Sequence, residues 1–215
     1  MNRLEKLIMD NPVRWAIQRY YATPVLQRIS HGAKAGRALE IGCGIGAGIE
    51  IIFEHFGATS VDAFDLDPEL VEQARSRVER AGIASASARG QRVENGDATA
   101  SGRVRLWVGS ATAIAAPDEA YDSVFAFGVL HHLRDWRAGL AECVRVLRPG
   151  GVMFAEESYA RFITHPIWRR VMDHPQEDRF EHDQLRDEMR GAGLDELGHQ
   201  IAIGGGSGWI VGRKR

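Results

Sequence analysis

The chain has 215 residues, 44% of them hydrophobic, and a formal net charge of -2. That length and apolar content suffice to bury one sizeable core, and the interspersed charges create no field favouring nucleic acid or an anionic membrane. No run of about eighteen apolar residues occurs and the start "MNRLEKLIMDNPVRW" has no signal-peptide core, so the expectation is a soluble, cytoplasmic protein with no membrane span and a small-molecule partner. Cys43 and Cys143 have no metal-binding or disulfide spacing, which suits a reduced compartment. Nothing in the sequence sets the oligomeric state.

In chain order, residues 1–35 read as a helical lead, with Val13, Ile17, Tyr20 or Tyr21, Val25 and Ile29 as its apolar face. Lying before the first strand, this lead is expected across the sheet's C-terminal edge. "RALEI" is then a short apolar strand, followed by a glycine-rich turn and a helix with Ile49, Ile52, Phe53 and Phe56 on one face. "SVDAFDL" is the second strand. Asp67, Pro68 and Glu69 supply an N-cap, a first-turn proline and a first-turn acid for a helix carried by Leu70, Val71, Ala74 and Val78. Residues 84–103 are poor in large apolar side chains and rich in Ala, Ser and Gly, and are expected to form a mobile loop insertion.

"VRLWV" and "YDSVFAFGV" are the third and fourth strands, and Trp136, Leu140, Val144 and Leu147 mark a helix stopped by "RPGG" before the fifth strand "VMFAEE". Strands separated by helices of this length imply right-handed crossovers and a mostly parallel sheet. After a polar helix at "HDQLRDEMRGAG", residues 194–213 read as two strands around "GGGSG". The expected fold is therefore a single α/β domain over residues 1–215. It is Rossmann-like and doubly wound, with an antiparallel C-terminal hairpin strand.

The turn in "ALEIGCGIGAGIEII" decides the ligand class. Glycine-rich turns between a strand and a helix usually hold phosphates, but the carboxylate of Glu40 would repel a pyrophosphate there. S-Adenosylmethionine carries an ammonium and a sulfonium instead, and a carboxylate stabilises both. The chain resembles the class I S-adenosylmethionine-dependent methyltransferases, in particular the group similar to ubiquinone/menaquinone biosynthesis C-methyltransferases. The matching pieces are "LEIGCGIGAG", "FDLDPELVEQAR", "VGSATAIAAPDEAYDSVFAFGVLHHLRDW" and "VLRPGG", and the insertion apart they cover residues 38–157.

The resemblance implies that Glu40 and the backbone at Gly42, Cys43, Gly44 and Gly46 surround the methionyl part of S-adenosylmethionine. It also implies that Asp65 accepts the ribose hydroxyls, with capping of the next helix as its alternative role, that Leu66 flanks the adenine, and that Ser110, Ala111, Phe127 and Gly128 complete the cofactor set. Where many relatives have Asp at the adenine amino group, this chain has Ser110, a weaker neutral acceptor. For methyl transfer, His131 and His132 end the fourth strand as candidate bases, or as packing beside the cofactor. Glu156, Glu157 and Tyr159 end the fifth strand and are candidates for the acceptor site, as are Tyr20 and Tyr21 of the lead; ordinary strand-end or core roles are the alternative.

His165, Trp168, Arg169, Arg170, His174, Arg179 and His182 read as a solvated helix face, with contacts to an anionic acceptor as the functional alternative. No histidine pair has a metal-ligand context, so no metal is expected. Gly42, Gly44 and Ala47 also satisfy the dinucleotide pattern G-x-G-x-x-G/A, which leaves an NAD-type oxidoreductase as one alternative and a non-catalytic S-adenosylmethionine-binding module as another.

Overall fold

The structure, a computed structural model, describes residues 12–83, 103–164 and 177–215. The expected insertion lies outside the described residues apart from Arg103, as do the first eleven residues of the lead and the stretch from His165 to His174.

Helix α1 (Pro12–Ile17), a π-helical turn (Gln18–Ala22) and α2 (Thr23–Ile29) precede β1 (Gly36–Ile41). Then follow α3 (Ala47–Phe56), β2 (Ala58–Asp65), α4 (Pro68–Arg80), β3 (Arg103–Val108), β4 (Tyr121–Phe127) and a 3-10 turn (Leu130–His132). The chain continues through α5 (Trp136–Val146), β5 (Leu147–Ser158), α6 (Ala160–Ile163), α7 (His182–Gly191), β6 (Leu194–Ile201) and β7 (Ser207–Lys214). The strands form one sheet in the order β3-β2-β1-β4-β5-β7-β6. The pairs β1/β2, β1/β4, β2/β3 and β4/β5 are parallel, while β7 runs antiparallel to both β5 and β6.

This is the expected doubly wound sheet. The β6–β7 hairpin docks with its second strand inward, because β7 is the apolar one: Trp209, Ile210 and Val211 are buried, whereas the exposed edge strand β6 carries Asp195, Glu196 and His199. Side chains alternate along each strand, so the sheet has two buried faces. One packs Ala38, Val61, Phe125, Phe154 and Val211 under α2, α3 and α4; the other packs Leu39, Phe64, Val124, Met153 and Ile210 under α5 and α7.

Two local readings are corrected. β5 begins at Leu147, ahead of "RPGG": Leu147 pairs with Tyr121 and Val152 with Ser123, so the intervening residues bulge out of register rather than separate helix from strand. The lead is helical, but its inward face is different. Ala22, Val25, Leu26 and Ile29 are buried, while Ile17, Tyr20 and Tyr21 are exposed. Counting back from Ile29 at the helical period gives Val25, Ala22, Gln18 and Trp15, a face that a search for apolar side chains does not follow.

Register aligns the C-terminal ends of the strands. Glu40 stands beside Ala63 and Phe125, and Asp65 beside Val108. β1 has β2 on one side and β4 on the other, so the order of connection reverses at β1 and a crevice opens beyond its C-terminal end. Among the described residues no helix is long and apolar enough to cross a membrane.

Beyond β5 the buried Tyr159 hydroxyl lies 2.6 Å from His182 Nδ1, and His182 Nε2 lies 3.0 Å from His199 Nδ1. Burial lowers the His182 pKa to about 4, and His199 and Arg186 push the same way. The folded value lies below the ordinary histidine value of about 6.5, so the unfolded chain binds more protons between the two. The stabilisation from neutral His182 is therefore complete above about pH 6.5 and is lost as pH falls toward 4. Urea midpoints at pH 7 and pH 5 should show this loss, and His182→Asn should flatten the difference between them.

Candidate active site

The β1–α3 turn is built from left-handed glycines, with φ of 61° at Gly42, 52° at Gly44 and 82° at Gly46. They serve different ends. A Cβ on Gly42 would stand 2.4 Å from Val129 Cγ2, so this glycine lets the β4 turn close over the β1 turn. Gly44 faces open space, and its backbone N–H donates to Asp65 Oδ2 at 2.9 Å. Gly46 is the N-cap of α3 and packs on Ala74 of α4, so unlike its neighbours it does not line the crevice. The buried Cys43 ties the turn to β2 by donating its N–H to Phe64 O at 2.9 Å.

Glu40 is the last polar side chain of β1 and is only 2% exposed. Its Oε2 is buried with no hydrogen-bond partner among the described residues. Burial first, and then the nearby Asp65 carboxylate, push its pKa well above the usual carboxylate value. A buried acceptor without a donor costs about 1–3 kcal/mol, and more if ionised, until a donor or cation meets it. Gly48, the second residue of α3, makes the arrangement possible: a Cβ there would lie 2.0 Å from Glu40 Oε1 and 2.8 Å from Phe127 Cδ2. The turn therefore lays open backbone against a buried acid that a ligand cation would complete. The ammonium of S-adenosylmethionine fits that requirement, whereas a pyrophosphate would face the carboxylate.

The crevice has a volume of about 800 Å³. Asp65 closes the end of β2, with its oxygens held by the N–H groups of Gly44 and Asp67 at 2.9 and 3.0 Å. Asp67 is the N-cap of α4 and accepts from Glu69 N at 2.9 Å, as its sequence position predicts. Leu66 is 74% exposed and lines the crevice, as do Ser110 and Ala111. Ser110 Oγ lies 2.9 Å from Thr112 Oγ1, so it already has a local partner. Phe127, Gly128 and His132 line the β4 side.

The structure separates the two histidines. His132 lines the crevice, whereas His131 is buried behind it with Nδ1 2.6 Å from Glu157 Oε2. Glu157, expected at the acceptor site, is instead 1% exposed and accepts the backbone N–H groups of Val129, Leu130 and His131. The strand's alternation turns Glu157 into the protein. Tyr159 likewise points inward to His182, and Glu156, Tyr20 and Tyr21 do not line the crevice either. Tyr21 packs edge-on against Trp209 at 5.4 Å.

In place of the tyrosines the lead presents Trp15 and Gln18, and the β4 turn adds Val129 and Leu133. The guanidinium groups of Arg19 and Arg77 lie 5.3 and 5.8 Å from the centre of the Trp15 ring. Helical counting back from Ile29 was the available signal for Trp15 and Gln18. Val129 and Leu133 flank the "LHHL" histidines already singled out.

Residues 39–155 match the family model described as a methyltransferase domain. A curated Mycolicibacterium smegmatis protein named "Probable S-adenosylmethionine-dependent methyltransferase" is 32% identical over 128 residues, 60% of this chain and 40% of that protein. The ubiquinone/menaquinone biosynthesis C-methyltransferase UbiE of Geotalea daltonii is 27% identical over 158 residues, 72% of this chain and 59% of its own. The chain spans about half the length of these curated relatives. The N-methyltransferase NodS of Bradyrhizobium japonicum, solved with S-adenosylhomocysteine, shares the fold with a TM-score of 0.66 at 18% identity, covering 99% of each chain. With more than half of its length matching the domain and its strands in the order found here, the chain belongs to the class I S-adenosylmethionine-dependent methyltransferases.

Proposed function

We propose that this chain, as a single domain, transfers the methyl group of S-adenosylmethionine to a small-molecule acceptor with His132 as the base. The observation that carries the reading is Glu40 Oε2, a buried acceptor at the switch point of the sheet with no donor among the described residues. In the proposal Glu40 and the backbone from Gly42 to Gly44 hold the methionyl end, Asp65 the ribose, and Leu66, Ser110 and Ala111 the adenine. The bound cofactor supplies an electrophilic methyl on sulfur. The chain's part is to align the acceptor's nucleophilic atom in line with that methyl, exclude water, and receive at His132 any proton the nucleophile loses.

The crevice lining supports an acceptor with an apolar body: Trp15 of the lead and Phe127, Val129 and Leu133 of the β4 side line it together with the polar groups of Gln18 and His132. The carboxylates of Glu40, Asp65 and Asp67 in the same crevice favour neutral or cationic groups near the cofactor. S-Adenosylhomocysteine should raise the melting temperature, as any ligand selective for the native state does, and NAD(H) should not. A shift with NAD(H) alone would replace this reading by the oxidoreductase one.

Two further outcomes follow from the geometry. Gly48→Ala adds a residue that a helix favours by about 1 kcal/mol over glycine, so intrinsic propensity alone would stabilise α3. Because the new methyl overlaps Glu40 Oε1, calorimetric titration should instead show S-adenosylhomocysteine affinity falling by more than about tenfold. Asp65→Ala should weaken the same binding by about ten- to a hundred-fold, from a charged contact of about 1.5–3 kcal/mol. Ser110→Ala should cost less, since a neutral hydroxyl contributes about 0.5–1.5 kcal/mol and Ser110 Oγ already has Thr112 beside it. If Ser110→Ala weakened binding more than Asp65→Ala, the ribose and adenine assignments would have to be exchanged.

A further inference from the structure

The turn that brings His132 to the crevice is gripped by Glu157 and Arg179, neither of which lines the crevice. Glu157 Oε1 accepts from the N–H groups of Val129 at 3.2 Å and Leu130 at 2.9 Å, and Oε2 accepts from that of His131 at 3.3 Å. Arg179 takes the carbonyl side: Nη1 donates to His131 O at 2.5 Å and Nη2 to Leu133 O at 2.9 Å. The ring of His131, held through Nδ1 to Glu157, lies 4.3 Å from the ring of His132, tilted by 35°.

We propose that Glu157, His131 and Arg179 are positioning residues that set the orientation of His132, with His131 the support for the His132 ring and not itself a base. A carboxylate is acceptor-only, so a Glu157 surrounded by N–H groups makes His131 present a proton on Nδ1. That choice fixes the plane of the His131 ring, and the ring fixes the near face of its neighbour. The planar fork of Arg179 spans two carbonyls two residues apart, which a single ammonium does not reproduce. Arg179 is itself anchored: the adjacent Asp178 accepts from Trp136 Nε1 at 3.0 Å and pairs with Arg137 at 2.7 Å, and Phe180 packs on Trp136 at 4.7 Å. The segment leading into α7 thereby braces the turn against α5 as well as β5.

The importance of this orientation for turnover rests on the methyl-transfer reading, but the brace can be tested without cofactor or acceptor. The whole chain, labelled with nitrogen-15 histidine, is titrated from pH 5.5 to 8.5 while the ring nitrogens are followed by NMR, His132→Asn serving to assign the signals. In the parent chain one histidine should keep its Nδ1 proton throughout. Glu157→Gln should abolish that signature and displace the His132 midpoint by about half a pH unit or broaden its ring signals. Arg179→Lys should keep the Nδ1 signature while displacing or broadening His132 in the same way. In both variants S-adenosylhomocysteine affinity should change by less than about threefold, because Glu40 and Asp65 are untouched. Unchanged His132 signals in the folded variants would overturn the proposal, and if Glu157→Gln does not fold, Arg179→Lys decides alone. Failure of the parent chain to bind S-adenosylhomocysteine would remove the methyl-transfer reading and leave the histidine spectra to judge the brace.

Discussion

The burial of one carboxylate organises this site. Glu40 is held at the end of β1 with Oε2 inside the protein and no donor to it among the described residues, which is costly for a polar group so buried. Keeping it there needs a floor without a side chain, which Gly48 provides, and a wall, which Phe127 provides. It also needs the β4 turn to lie close, and Val129 achieves this by occupying the space where Gly42 lacks a Cβ. The glycines of the first turn thus differ in purpose: Gly42 admits a neighbouring turn, Gly44 leaves backbone open to a ligand, and Gly46 starts α3 while admitting Ala74.

Those contacts join β1 to β4 and α3 to α4 around the Glu40 end of the crevice. Asp65 strengthens the joint: its carboxylate receives the N–H of Gly44 across the turn and that of Asp67 ahead of α4. A side chain so fixed has its remaining lone pairs aimed rather than sampled, and preorganisation of this kind lowers the ordering cost of binding. Ser110 is anchored only to Thr112 in its own loop. Asp65 is therefore held from two elements of the fold and Ser110 from one short turn.

Most of the architecture was legible in the sequence because the signals for it are local. Alternating and helical periods mark β1 to β4 and α3 to α5, the Asp67-Pro68 pair marks the start of α4, and a lone glutamate before three glycines points away from phosphate. The failures share a different cause. Tyr20 and Tyr21 look like pocket residues by type, yet the helix phase set by Val25, Leu26 and Ile29 turns Gln18 and Trp15 to the crevice instead. Which of two adjacent histidines faces the crevice depends on the side from which β5 approaches, and that is a property of the sheet, not of "LHHL". The extent of β5 was hidden for the same reason: only pairing with β4 shows that Leu147 joins the strand before the glycines.

Glu40 and Glu157 make the physical distinction plain. Both end strands at the same edge of the sheet, both are almost wholly buried, and both come from short acidic signals that composition treats alike. Glu157 is surrounded by donors the protein itself supplies, three backbone N–H groups and an imidazole, so its charge is spent on holding a turn. Glu40 has an oxygen for which the described residues provide no donor. Burial alone separates neither structural from functional acids; what separates them is hydrogen-bonding capacity left over after the fold has taken its share. By that measure the β5 edge belongs to the scaffold and the β1 edge to the ligand, and the β4 turn, which touches Gly42 on one side and Glu157 on the other, is where the two meet.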